Sequence, residues 1–84
     1  MYNNFNMVMS ISQFIGLHKF LLENRELDKK EKEALTSIAK ITSTYTRKVK
    51  ESGKKTNRIV VLISFKSNKT KVKDIKLVNI TYVK

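Results

Sequence analysis

Apolar residues recur at steps of three and four between Ile11 and Leu22. Ile11, Phe14, Ile15, Leu21 and Leu22, with His18 among them, share one face of a helix, and Leu17 and Phe20 widen it. Ser10 or Ser12 can cap the start, because a serine oxygen accepts an orphan N–H of the first turn. The helix should end between Asn24 and Glu26. Gly16 inside it costs close to ~1 kcal/mol against alanine, and close packing against another element is the expected reason. Ahead of it, Met1 to Met9 is polar and rich in Asn and reads as an irregular lead-in.

A second helix starts more sharply. Asp28-Lys29-Lys30-Glu31 fits a capping box, with Asp28 as N-cap and Glu31 reaching back to its backbone N–H, and Leu27 stands just before it. Ala34, Leu35, Ile38 and Ala39 keep the helical spacing to about Lys40. The segment from Ile41 to Lys50 fits three templates. Its β-branched residues alternate, with Ile41, Tyr45 and Val49 on one side and Thr42, Thr44, Thr46 and Lys48 on the other, as in a strand. Leu35, Ile38, Thr42, Tyr45 and Val49 equally continue a helix. A break at Thr42-Ser43-Thr44 would give a helix-turn-helix, although Thr42, Thr44 and Ser52 then occupy positions that are usually apolar. The strand reading is preferred, since three strands are more stable than a lone hairpin.

Glu51 to Asn57 reads as a turn in which Gly53 is free to take a positive φ. Ile59 to Phe65 is the clearest strand. Ile59, Val61, Ile63 and Phe65 line one face, while Val60 and Leu62 make the other apolar too, which suits a central strand. Ser67-Asn68-Lys69 is a second turn. From Val72 to Val83 the alternation changes phase, and a bulge near Leu77 and Val78 accounts for it. The expected architecture is α+β: two N-terminal amphipathic helices packed on a small antiparallel sheet of two or three strands at the C-terminal end. All of residues 1–84 form a single domain on this reading. Residues 1–9 are the lead-in, 10–40 are helical and near-neutral, and 41–84 are β-rich and strongly basic.

Charge sharpens that division. The chain carries 18 Lys and Arg against 7 acids, a net of +11. From Arg47 to Lys84 there are twelve cations against only Glu51 and Asp74, a net of +10, which leaves +1 for everything before. Such a field costs stability through self-repulsion, and a polyanion relieves it. Arg47, Lys48, Lys50, Lys54, Lys55 and Arg58 gather around the first turn, and Lys66, Lys69, Lys71, Lys73 and Lys76 around the second. Paired strands would put these turns at opposite ends of the sheet. An exposed band with Thr42, Thr44, Thr46, Ser64 and Asn68 as short donors to phosphate would join them. Only three of the cations are Arg, the better base reader, so backbone contact is favoured over base reading. Neutralising about 6 phosphates would give a log–log salt slope near −5 on duplex DNA. Tyr45 and Tyr82 could stack on unpaired bases, though both share faces with apolar residues and fit a core edge. The excess of Lys over Arg, with abundant Asn and Ile, looks like translation of an AT-rich genome and takes some weight off the charge argument.

Catalysis finds little support. His18 is the only histidine and sits on the apolar helix face, there is no Cys, and no phosphate-binding glycine loop exists. Most of the acids fall between Glu23 and Glu33 among lysines, as on a solvated helix face. No catalytic residue, metal or cofactor is expected. No apolar stretch approaches the roughly 20 residues a bilayer requires, and no secretory signal is visible, so a cytoplasmic protein that makes no membrane contact is expected. The first functional reading is a non-catalytic nucleic-acid-binding module that grips DNA or RNA backbone. The alternative is a small interaction or inhibitor protein, of the kind carried by phages or mobile elements, docking on an acidic or nucleoprotein surface. The apolar second face of the central strand (Val60, Leu62) could also seat a homodimer. A small RNA-cleaving toxin is a third reading by fold-level analogy, weakened by the lack of an evident first strand.

Overall fold

The computed structural model describes residues 1–24 and 27–84. The chain order is strand, helix, helix, strand, strand. Asn3–Ser10 (β1) leads into Ile11–Asn24 (α1), then Lys29–Glu51 (α2), a 3-10 turn at Thr56–Arg58, Ile59–Ser67 (β2) and Val72–Tyr82 (β3). The sheet is antiparallel in the order β1-β2-β3, so Ile59–Ser67 is the central strand as its two apolar faces require. The fold is α+β with two helices and three strands, but the helices are not N-terminal to the whole sheet. The third strand is β1, not the segment from Ile41 to Lys50.

β1 corrects the expected lead-in. Phe5, Met7 and Met9 pair with Phe65, Ile63 and Val61, while Asn4, Asn6 and Val8 pair with Lys66, Ser64 and Leu62. Directly opposed residues share a face, so β1 adds one apolar and one mostly polar row. Asn has low strand propensity, yet partners from β2 override it. β1 passes straight into α1 through a reciprocal cap. The Ser10 N–H donates to Gln13 Oε1 at 2.9 Å, and the Gln13 N–H donates to Ser10 Oγ at 3.3 Å.

α1 turns Phe14 and Leu21 into the core, with Ile11 and Leu17 half-buried beside them. Ile15, Phe20 and Leu22 stay exposed, so the buried stripe is narrower than the spacing suggested. The expected end of α1 falls partly on Arg25 and Glu26, outside the described residues. Gly16 also departs from expectation, because a Cβ built there would meet nothing within 4 Å. Gly16→Ala should therefore raise stability by about 1 kcal/mol, or roughly 4–8 °C in Tm, in thermal unfolding followed by circular dichroism. A loss of stability would instead reveal the close approach that the structure lacks.

α2 starts after Asp28 as the sequence indicates, but the capping box does not close. Asp28 makes no side-chain cap hydrogen bond. Glu31 is buried, at 6 % exposure, and its Oε2 accepts a long hydrogen bond from the Ile75 N–H at 3.5 Å. The helix then runs unbroken to Glu51, overturning both the strand and the helix-turn-helix readings of 41–50. Leu35, Ile38, Thr42 and Val49 form its buried stripe, and Ile41 points to solvent. Thr36, Thr44 and Thr46 donate their hydroxyls to the carbonyls of Lys32, Lys40 and Thr42 at 2.9, 3.0 and 2.8 Å, an arrangement that accommodates threonine within a helix. Lys48 and Lys50 in the last turn suit the negative end of the helix dipole. Gly53, at φ +81°, then ends the helix in a Schellman arrangement. Its N–H reaches the Lys50 carbonyl, and the Lys54 N–H reaches that of Val49.

β2 and β3 form the expected hairpin. Asn68 Oδ1 accepts from the Thr70 and Lys71 N–H groups at 2.9 and 2.7 Å and holds the turn. The predicted bulge is present: Leu62 pairs with Asn79 and Ile63 with Leu77, leaving Val78 as the extra residue. A second irregularity lies between Ser64 and Lys66, where Asp74 takes a left-handed φ of 54°. The helices cover one face of the sheet only. Phe14, Leu21, Leu35 and Ile38 pack there on Met9, Val61, Ile63, Val72 and Ile75 in one cluster.

Candidate nucleic-acid interface

The face turned away from the helices follows from strand register. Across it run the rows Asn4–Lys66–Lys73, Asn6–Ser64–Lys76, Val8–Leu62–Asn79 and Ser10–Val60–Thr81. Three lysines therefore stand together at the hairpin end among short hydrogen-bonding side chains, with Lys69 and Lys71 in the adjoining turn. An apolar patch of Val8, Val60 and Leu62 occupies the other end of this open face. Lys66 Nζ lies 3.5 Å from Asp74 Oδ2, in a pair about half exposed on both sides. An exposed pair of that kind is worth little, which leaves Lys66 able to exchange partners. Lys73 Nζ sits 4.3 Å from the centre of the Tyr2 ring, just ahead of β1.

The remaining predicted cations lie elsewhere. α2 begins at the hairpin end, where Glu31 meets Ile75, and finishes against the 3-10 turn that precedes β2. Arg47, Lys48 and Lys50 are exposed on its last turns, in the helix layer and so on the far side of the sheet from Lys66, Lys73 and Lys76. Lys54, Lys55 and Arg58 follow at the same end, with Lys54 Nζ 5.0 Å from the centre of the Tyr82 ring. The two turns do lie at opposite ends of the sheet. The single band that was to join them does not exist, because Thr42, Thr44 and Thr46 belong to α2. Thr42 is buried and its hydroxyl has no partner among the described residues. It lines a cleft of about 370 Å³ between the helices, together with Phe14, His18, Arg47 and Lys50.

Aromatic placement bears on how a strand of nucleic acid could be held. Tyr82 opposes the buried Ile59 and is therefore on the helix side of the sheet, where Phe5 and Phe65 also stack at 5.3 Å. Tyr45 is half-buried on α2 beside Lys40 and Lys48. Neither tyrosine lies on the open face. Tyr2, Asn4 and Asn6 do adjoin or occupy it, and sequence reasoning overlooked them. The signal was the period-two alternation of Phe5, Met7 and Met9 with Asn4, Asn6 and Val8. His18 is half-buried and stacks on Phe14 with ring centres 6.0 Å apart, as a boundary histidine would. Among the described residues, no group of three or more His, Cys, Asp or Glu is placed to hold a metal ion, and no helix is long and apolar enough to cross a membrane. Comparison of the chain with protein-family models, curated proteins and solved structures finds no match.

Proposed function

We propose that this chain is a non-catalytic nucleic-acid-binding module that grips phosphate backbone with the open face of its sheet and the adjoining hairpin turn. One observation carries the reading: Lys66, Lys73 and Lys76 are registered side by side on an uncovered face lined with Asn4, Asn6 and Ser64. Lysines supply charge to phosphate, and short amide and hydroxyl groups supply hydrogen bonds that fix position without reading bases. The aromatic rings of Phe65 and Tyr82 belong to the other face and the Tyr2 ring beside this one is engaged by Lys73, so the grip relies on backbone charge more than on base stacking. With Lys69 and Lys71 the platform numbers five cations, which narrows the expected log–log salt slope to about −4.5 on duplex DNA. Titration of duplex and single-stranded oligonucleotides at several salt concentrations tests this. A slope near that value supports the reading, whereas salt-insensitive or only millimolar binding at low salt rejects it.

A second reading rests on the apolar end of the same face, where Val8 is 69 % exposed next to Leu62. Such a patch suits protein contact, and the lysines at the far end of the same face turn the choice toward an acidic protein or nucleoprotein surface. A stoichiometric protein captured from nuclease-treated lysate, together with failure of the oligonucleotide titrations, would favour it. β1 also supplies the first strand whose absence counted against an RNA-cleaving toxin. That likeness is one of fold layout alone, so the analogy stays below the other two.

A further inference from the structure

The sheet has two edges, and they are built differently. The β3 edge carries Lys73, Asp74 and Lys76 and is interrupted by two register irregularities. Charges and bulges of this kind are how proteins keep an edge strand from pairing with another chain. The β1 edge has neither. Its pairing to β2 runs without a shift from Asn3 to Ser10, and no Lys, Arg, Asp or Glu occurs before Lys19. Six of its eight residues are exposed. Phe5 and Met7, on the helix side of the sheet, remain 42 % and 40 % exposed because the helices do not reach over them.

We infer that β1 is a self-association edge, at which two copies of this chain pair antiparallel to make one continuous six-stranded sheet. Electrostatics selects this edge. A chain of net charge +11 repels its own copy, and β1 lies across the sheet from Lys73 and Lys76 on β3. Joining at β1 keeps those charges far apart, while joining at β3 would bring them together. The pairing also completes the backbone hydrogen bonds that an edge strand leaves open.

Geometry restricts the register. A twofold axis perpendicular to the sheet keeps both pairs of helices on one side. Opposed residues must then share a face, so the axis passes through a residue position and not between two. With the axis at Asn6, Phe5 of one copy opposes Met7 of the other, bringing the two half-exposed apolar residues together. On the open face, Asn6 opposes Asn6 and Val8 opposes Asn4. The doubled open face would then present Lys66, Lys73 and Lys76 twice, but the inference stands apart from any nucleic-acid role.

Sedimentation equilibrium of the full chain over a concentration series is the test. The expected result is a mass rising from 9.8 kDa toward twice that value. Asn6→Lys sets two like charges face to face and should weaken association roughly tenfold, as should Asn6→Glu, whereas an equimolar mixture of the two variants should restore it. Circular dichroism verifies that each variant folds. If one does not, hydrogen exchange on the unaltered chain replaces it, with outward β1 amides expected to gain protection as concentration rises. A monomer at every concentration overturns the inference. So does a dimer that ignores both Asn6 variants, including one that Leu62→Lys disrupts, which would place the contact on the open face.

Discussion

Thr44→Pro should destabilise the protein by about 3 kcal/mol or more. Thr44 lies deep inside α2, so proline there removes the backbone bond to Lys40 and drives its ring into the Lys40 carbonyl. In a domain of this size the loss corresponds to a fall in Tm of roughly 12–24 °C. The site is exposed, and the threonine side chain takes no part in the core. Thr44→Ala is the control. It gives up the hydroxyl bond to the Lys40 carbonyl but gains helix propensity, and should stay within about 0.5 kcal/mol of the parent. An edge strand at this place would tolerate proline wherever its N–H faced solvent. Chemical denaturation of the two variants therefore separates a continuous helix from the strand that the alternation of Ile41, Tyr45 and Val49 suggests. Two variants of equal stability would refute the helix.

Replacing Lys66, Lys73 and Lys76 together by Gln should weaken duplex binding roughly a hundredfold at low salt and flatten the salt slope by close to 3 units, about one for each phosphate left without its lysine. The fold should persist, since what the change removes among the described residues is the half-exposed Lys66–Asp74 pair and the contact of Lys73 with the Tyr2 ring, both worth little at the surface. The matched comparison is Arg47, Lys48 and Lys50 to Gln, which removes the same charge from the helix layer. If the open face is the platform, that variant should bind no more than about threefold more weakly, through the general field alone. Equal weakening in both variants would mean diffuse attraction to the whole cation. A larger effect from the helix-layer variant would move the site to α2.

Several features were legible in the sequence because neighbours along the chain decide them. β2 shows itself as a central strand through apolar residues on both faces. Asn68 and Gly53 mark their turns by the backbone conformations they accept. The phase change at Val78 announces a bulge, since no regular strand can carry Ile75, Leu77, Val78 and Ile80 in proper alternation. The start of α2 after Asp28 was equally plain, although the Glu31 carboxylate went to Ile75 instead of closing the cap.

Two elements were not legible, for one shared reason. β1 carries only a short alternation diluted by strand-poor asparagines, its partners lie fifty or more residues away, and pairing with β2 is what orders it. Residues 41–50 satisfy helix and strand periods together, so their local pattern is degenerate. Once β1 occupies the free edge of β2, a strand from 41–50 is not needed there. The segment continues a helix already nucleated at Lys29 and gains burial of Thr42 and Val49. The candidate site divides in the same way. That the excess positive charge belongs to the second half of the chain is a property of the sequence. That Lys66, Lys73 and Lys76 share an open face while Arg47, Lys48 and Lys50 ride on the helix layer was decided only by which strand paired where.

The sequence by itself determined the charge segregation, the central strand, both turns and the helical start at Asp28, all of which rest on local periodicity and backbone preference. The tertiary structure alone decided the third strand, the full length of α2 and the division of the cations between two layers. Those depend on interactions between distant segments, whose energies no local window contains.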